Sequence, residues 1–297
     1  MPEERAPAGA TGPASGGAEP RAAAADGTAD DADPARPARL ALGLSYRGSA
    51  YQGWQSQPGG QTVQDRLEDA LSAFAARRVT TVCAGRTDAG VHGVNQVVHL
   101  DPPVQRDLFS WVRGSNRYLP ADIAVQWCRE VPRHFHARNS ARGRRYRFVV
   151  LESPVRPSLE AGLAGWVFRP LDGEAMRAAA AVLIGEHDFS SFRAAECQAR
   201  SPVKTLHRID IDRRGAYWHF DFDGSAFLHH MVRNILGCLV AVGSGRRAPG
   251  WMAEVLAARS RDAAAPTFPS AGLYFLGPYY DAALGLPEHP PALDWLP

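Results

Sequence analysis

The sequence predicts an α+β fold made of two similar halves, and three observations carry that reading. Leu40, Leu42, Leu44 and Tyr46 alternate with smaller or polar residues, the period of a half-buried strand. Val63, Leu67, Ala70, Leu71 and Phe74 recur at helical spacing on one face. The same rhythm of strand, helix and strand pair then returns in the second half of the chain. The similarity between the halves is too weak to be an internal sequence repeat.

Thr62 is placed to cap the helix that carries Val63 and Leu67. Val79–Ala84 and Val94–Leu100 read as strands either side of a glycine-rich connection. A helix over Arg106–Tyr118 and a strand over Ile123–Cys128 complete the first half. The second half opens with a strand over Tyr146–Leu151 and a helix over Glu174–Ile184. A hairpin follows, Leu206–Asp212 and Tyr217–Phe222, around Arg213-Arg214-Gly215-Ala216. Ala226–Val242 reads as a strongly apolar helix, Trp251–Ala258 as another, and Leu273–Leu276 as a closing strand. The expected domains are 37–138 and 139–286. They are flanked by a disordered tail over 1–36 and an irregular stretch over 287–297 in which Leu293, Trp295 and Leu296 are candidates for docking.

At 297 residues the chain is long enough for a sizeable core, and 45% hydrophobic with 22% charged residues is an ordinary balance. No apolar run reaches the length of a membrane span and no secretory signal opens the chain, so a cytoplasmic location is expected. Cys83, Cys128, Cys197 and Cys238 are scattered without metal-ligand spacing and read as buried reduced thiols. Net charge is +2, but residues 1–36 hold seven acids against three arginines, so the remainder is basic. Lys204 is the single lysine, and arginine is the better bidentate phosphate ligand. A mild basic excess permits RNA binding without establishing it.

Three segments carry candidate chemistry. Gly85-Arg86-Thr87-Asp88-Ala89-Gly90-Val91-His92-Gly93 lies between two apolar strands, where glycines let a loop bend sharply and present Asp88 outward. An isolated Asp-Ala-Gly is most simply a capped turn, but arginine, threonine and histidine crowd this one. The loop lacks the Gly-x4-Gly-Lys-Ser/Thr pattern of a phosphate cradle. From Arg133 to Arg147 there are six arginines, two histidines and no acid, with Phe135 and Tyr146 interleaved. Such a stretch suits phosphates and stacked bases of single-stranded RNA, and equally a solvated basic loop. In Phe227–Ile235, His229 and Arg233 fall on one face of the expected helix and His230 and Asn234 on the next. Arg233 is a natural mate for a buried carboxylate such as Asp88. Adjacent histidines on a helix point about 100° apart, so hydrogen-bonded packing is favoured over metal ligation and no metal is expected. Glu196–Pro202 reads as a polar loop.

Taken in order from about Leu40 to Tyr280, these segments resemble the tRNA pseudouridine synthase A family. The resemblance rests on Tyr51-Gln52-Gly53-Trp54-Gln55, Gly85–Gly93, Phe135-His136-Ala137-Arg138, Arg144-Arg145-Tyr146-Arg147, Asp188–Arg193, His229–Ile235 and Gly272-Leu273-Tyr274. It implies two α+β domains, each an antiparallel sheet flanked by helices, with a basic cleft between them and Asp88 at its floor. It implies Asp88 as nucleophile, Arg233 as its ion-pair partner and Tyr146 as a ring against the target base with a possible part in proton removal. Arg86 would evict the uridine and Leu273 would lie beneath the flipped base. Arg106, Phe135, His136, Ala137, Arg138, Asn139, Glu196, Cys197, Gln198, Ala199 and Arg200 would contact the tRNA. The implied reaction converts uridine to pseudouridine at tRNA positions 38, 39 and 40, in a homodimer and without a cofactor. The competing readings are a hydrolase of nucleic acid using Asp88 and a non-catalytic tRNA-binding module in which Asp88 only caps its loop. Metal-dependent chemistry at His229 or His230 ranks last.

Overall fold

The computed structural model describes residues 37–287. The expectations for 1–36 and for Leu293, Trp295 and Leu296 lie outside the described residues.

The first half comprises β1 (Arg39–Tyr46), α1 (Val63–Ala75), β2 (Val82–Cys83), β3 (His92–Leu100), α2 (Leu108–Tyr118) and β4 (Ile123–Val131). The second comprises β5 (Gly143–Glu152), β6 (Gly165–Val167), α3 (Gly173–Ala181), β7 (Gly185–Asp188), β8 (Val203–Arg214), β9 (Tyr217–Gly224), α4 (Met231–Gly243), α5 (Trp251–Ala258) and β10 (Leu273–Tyr279). The strands form one continuous sheet in the order β4-β1-β3-β10-β5-β9-β8-β7, with β2 added on β3 and β6 on β5. Pairing is antiparallel except at β5–β6 and at β3–β10. The β3–β10 pair is the seam: the last strand among the described residues joins the sheets of the two halves, with Tyr274 opposite His92 and Phe275 opposite Gly93.

Each half buries its helices against its own part of the sheet. Thr62 caps α1, accepting from Asp65 N–H, and Asp107 and Asp172 cap α2 and α3 the same way. Leu67 and Leu71 of α1 pack with Leu42, Leu44, Trp54 and Trp111, all of them essentially sealed from solvent. Ile235 and Leu239 of α4 pack with Met176, Phe148, Phe220 and Phe222 in the second half. Burying each such side chain contributes roughly 1.5–3 kcal/mol.

Several expected boundaries move. Of Val79–Ala84 only Val82–Cys83 is strand, because β2 meets β3 at just two positions. The strand expected from Val94 starts at His92, and β6 and β7 were not anticipated; Gly-Trp-Val and Gly-Glu-His-Asp are too short to show a period. The apolar helix begins at Met231 rather than Ala226, so His229 and His230 precede it. Three of the four thiols are buried, while Cys197 is partly exposed.

His99 shows how the sheet holds the basic segment that follows β4. Its ring is 6% exposed, and Nδ1 accepts from the Ala137 N–H at 3.1 Å, a bond that requires an unprotonated nitrogen. Burial, reinforced by Arg39, pushes its pKa down to about 4. Between pH 4 and 6.5 the unfolded chain therefore binds more protons at this position, and folding stability falls as pH drops through that window. Thermal melts at pH 7 and pH 4.5 should show this loss, of order 2 kcal/mol from His99. His99→Asn, whose carbonyl keeps an acceptor without titrating, should flatten the slope; an unchanged slope would refute the assignment.

Candidate active site

The loop from Gly85 to Val91 joins β2 to β3, and its shape is set by neighbours far away in sequence. Buried Gln96 donates to Gly85 C=O at 2.6 Å. Tyr46 Oη and Thr87 Oγ1 share a hydrogen bond of 2.8 Å. Trp54 N–H donates to Thr87 C=O at 2.9 Å, and Gly90 N–H to Tyr51 C=O at 3.3 Å. This explains the Tyr51–Gln55 motif, a scaffold laid against the back of the loop. Gly53 has φ +93°, and a Cβ there would come within 2.8 Å of Thr87 C=O. Gly90 likewise has φ +81°.

Asp88, presented by that loop, is 21% exposed at its side chain. Arg233 on the first turn of α4 donates from Nη1 to Asp88 Oδ2 at 3.0 Å. The guanidinium is itself held, since its Nε donates to Phe268 C=O at 2.9 Å. The pair crosses from the first half of the fold to the second. His229 Nε2 lies 3.4 Å from Oδ1 of the same carboxylate and His230 Nε2 lies 3.4 Å from Oδ2. Donor atoms of Asp88, His229 and His230 all fall within 4.8 Å of one another. The helical argument against shared ligation therefore fails, because neither histidine is inside the helix. What opposes a cation here is Arg233, a fixed positive charge already on Oδ2.

Asp88 lies in a cavity of about 680 Å³, within the usual range for a small-molecule site. Its lining brings together Arg86, Arg138, Tyr146, Arg233 and Leu273, with Glu196, Cys197, Gln198 and Ala199 along one wall. The Tyr146 ring, on β5, sits 5.0 Å from both Phe227 and Phe275. Burial pushes its phenol above the ordinary range, with Arg144 opposing and the nearby Asp88 charge adding to the rise, so Tyr146 presents a neutral ring at neutral pH. Leu273, although buried, is part of the cavity lining.

Other expected contacts are placed elsewhere. Phe135 and Ala137 are buried, and Phe135 packs on Tyr280 at 5.2 Å, so neither side chain offers a stacking surface. They anchor the segment and leave Arg138 and Asn139 exposed. His136 caps the turn, Nδ1 accepting from the N–H groups of Arg138 and Asn139 at 3.2 Å each. Arg106 stacks on Phe74 at 4.9 Å, away from the cavity lining, and Arg200 is exposed beyond it. Most of the six arginines from Arg133 to Arg147 have structural work. Arg147 makes a two-pronged pair with Asp221 at 2.7 and 2.8 Å, Arg142 pairs with Asp281, and Arg133 donates to Pro37 C=O. Arg144 straps three chain segments by donating to the carbonyls of Ala84, Arg138 and Ser225. Arg145 lies over the Tyr279 ring, and Arg138 and Arg144 both line the cavity.

Sequence reasoning missed Lys204, Phe227 and the two histidines as parts of the cavity wall. Lys204 stood out only as the single lysine, and Phe227 only as the first residue of the Phe227–Ile235 segment. The histidines carried a signal, but a false helix start turned them away.

Residues 44–139 and 179–281 match the family model described as tRNA pseudouridine synthase. A protein named tRNA pseudouridine synthase A from Methylibium petroleiphilum is 73% identical over 259 residues, covering 87% of this chain and all of that one. Proteins of the same name from a Polaromonas species and from Paracidovorax citrulli are 66% and 65% identical over the same shares of the chains. A loop aspartate paired across two sheet-joined halves with a helical arginine thus accompanies matches along most of the chain, and the chain belongs to the tRNA pseudouridine synthase family.

Proposed function

We propose that this enzyme isomerises uridine to pseudouridine at positions 38, 39 and 40 of the tRNA anticodon stem-loop, with Asp88 as nucleophile. The observation that carries this reading is the Asp88–Arg233 pair of 3.0 Å inside a cavity walled by both halves. Removing a carboxylate from water is expensive unless a partner is fixed beside it, and Arg233 is fixed by Phe268 C=O.

The reaction breaks N1–C1′ and forms C5–C1′. The base then loses the proton on C5 and gains one on N1, so the change is an isomerisation with no net oxidation or reduction. Asp88 traps C1′, removes a ribose proton to give a glycal, or adds to C6; each route uses an ionised carboxylate in a site closed to bulk water. The uridine must first leave its stack, at about a few kcal/mol. Tyr146 and Leu273 offer the flipped base an aromatic ring and an apolar floor. Arg86, exposed at the rim, is the side chain placed to fill the vacated stack. Arg138 and the stretch from Glu196 to Ala199 line the cavity and meet the RNA backbone, with Asn139, Arg200 and Arg106 farther out. No cofactor takes part. The enzyme works in the cytoplasm as a homodimer with tRNA spanning both copies, and exposed Trp166 and Phe168 beside a second cavity support such a contact.

Asp88→Asn should fold and bind tRNA while making no pseudouridine, measured by mass spectrometry of N1-to-C5 connectivity; turnover by that variant, or release of free uracil by the wild type, would reject the reading. Arg233→Ala leaves the carboxylate without its guanidinium and should lower stability by roughly 1–3 kcal/mol. Its kcat should fall about a hundredfold or more, and wild-type melting and rates together would count against the pairing. Excess chelator should leave wild-type turnover intact, and a loss restored by added metal would contradict the cofactor-free chemistry. Sedimentation at micromolar concentration should give twice the chain mass, and a monomer that turns over at full rate would remove the homodimer.

A further inference from the structure

His230 opens α4 with φ 61° and ψ 4°, a left-handed backbone. Among the described residues, Ala76 and Arg259 are the other non-glycines with positive φ, and both end helices, where this conformation is ordinary. A helix start instead favours extended backbone and a side chain that accepts from a free N–H. The His230 side chain makes no such bond, and its carbonyl accepts from Asn234 N–H as any residue's would. Capping does not account for the strained turn.

Its geometric consequence lies at the carboxylate. Within a helix, consecutive side chains diverge by about 100°. Here the rings of His229 and His230 lie 4.0 Å apart at 39°, and each directs Nε2 to within 3.4 Å of a different oxygen of Asp88. His229 is pinned by its backbone, since its N–H donates to Cys197 Sγ at 3.4 Å and its C=O accepts from Ala194 N–H at 3.0 Å.

We propose that His229 and His230 are positioning residues, one imidazole facing each oxygen of Asp88, and that with Arg233 they hold the carboxylate plane toward the reacting nucleotide. This rests on the reading of Asp88 as nucleophile and deepens it. Burial lowers the pKa of His230 below the ordinary histidine range, Arg233 and His229 acting in the same direction against Asp88 and Glu196. The ring is then neutral at neutral pH and carries one N–H. A neutral donor orients the nucleophile without adding a second full positive charge that would blunt it. Backbone strain retained at such a place fits a functional use.

The test compares His230→Gly with His230→Gln. Glycine adopts the left-handed backbone freely, so H230G should melt at or above the wild-type temperature. With the imidazole gone, its kcat should fall about tenfold or more while the tRNA Kd stays within about twofold. Glutamine carries an N–H at similar reach, and H230Q should return kcat to within about threefold of wild type. Wild-type kcat in H230G, a weakened Kd that accounts for the whole loss, or an H230Q as slow as H230G would each overturn the proposal. Should H230G fail to fold, H230Q decides alone: near-wild-type kcat supports the role, and a slow enzyme with wild-type melting overturns it. An inactive D88N beside a fully active H230G removes the positioning role and leaves the nucleophile, whereas an active D88N removes both.

Discussion

One ion pair ties this structure together. Asp88 stands on a loop of the first half and Arg233 on the first turn of a helix in the second, and they meet at 3.0 Å. A contact between two halves of a chain is only as well defined as their relative placement. The parallel pairing of β3 with β10 supplies that placement, because it makes the two sheets one. His92 begins β3 four residues after Asp88 and pairs with Tyr274, which follows Leu273 at the cavity floor. The seam of the sheet and the floor of the site are therefore one region of backbone.

That arrangement explains why so many polar groups around the site bind backbone or one another rather than solvent. Arg233 grips Phe268 C=O, Arg144 grips three carbonyls, Gln96 grips Gly85 C=O, and Thr87 meets Tyr46. Each bond alone is worth about 1 kcal/mol net. Together they hold the Asp88 loop and Arg233 in place, the kind of preorganisation that the role proposed for Asp88 would use. Carbonyl and carboxylate partners likewise occupy Arg133, Arg142, Arg144 and Arg147, in a stretch whose composition suits RNA binding and a solvated basic loop equally. Guanidinium groups serve both purposes because their planar fork satisfies several acceptors at once.

The fold was largely legible because its long elements keep their period. The alternation from Leu40 to Tyr46, the Thr62 cap and the β8–β9 hairpin appear near the expected positions. Short strands such as β6 and β7 have no period to read and are created by their partners. The site was legible where side chains of unlike chemistry crowd a glycine-rich bend, as around Asp88. It was misread where hydrophobicity alone governed the reading. Ala226–Leu228 continue the apolar run of α4 and suggest helix, yet they turn away from it because Leu228 C=O closes a turn onto Met231 N–H. Phe135 was misread in the opposite sense: an aromatic ring among arginines suggests base stacking, but it fills the space between His99 and Tyr280.

The cavity consequently divides into groups held by hydrogen bonds or burial and groups that are exposed side chains. Asp88, Arg233 and Leu273 are held by sheet, helix and backbone hydrogen bonds, whereas Arg86, Arg138 and Gln198 reach in as exposed side chains. This division suits an RNA substrate recognised by its backbone rather than by base sequence. Phosphate contacts set position without reading sequence, so exposed arginines can receive slightly different stem geometries while the floor stays fixed. Under the proposed reading, a uridine delivered from any of several neighbouring positions would meet the same carboxylate in the same orientation.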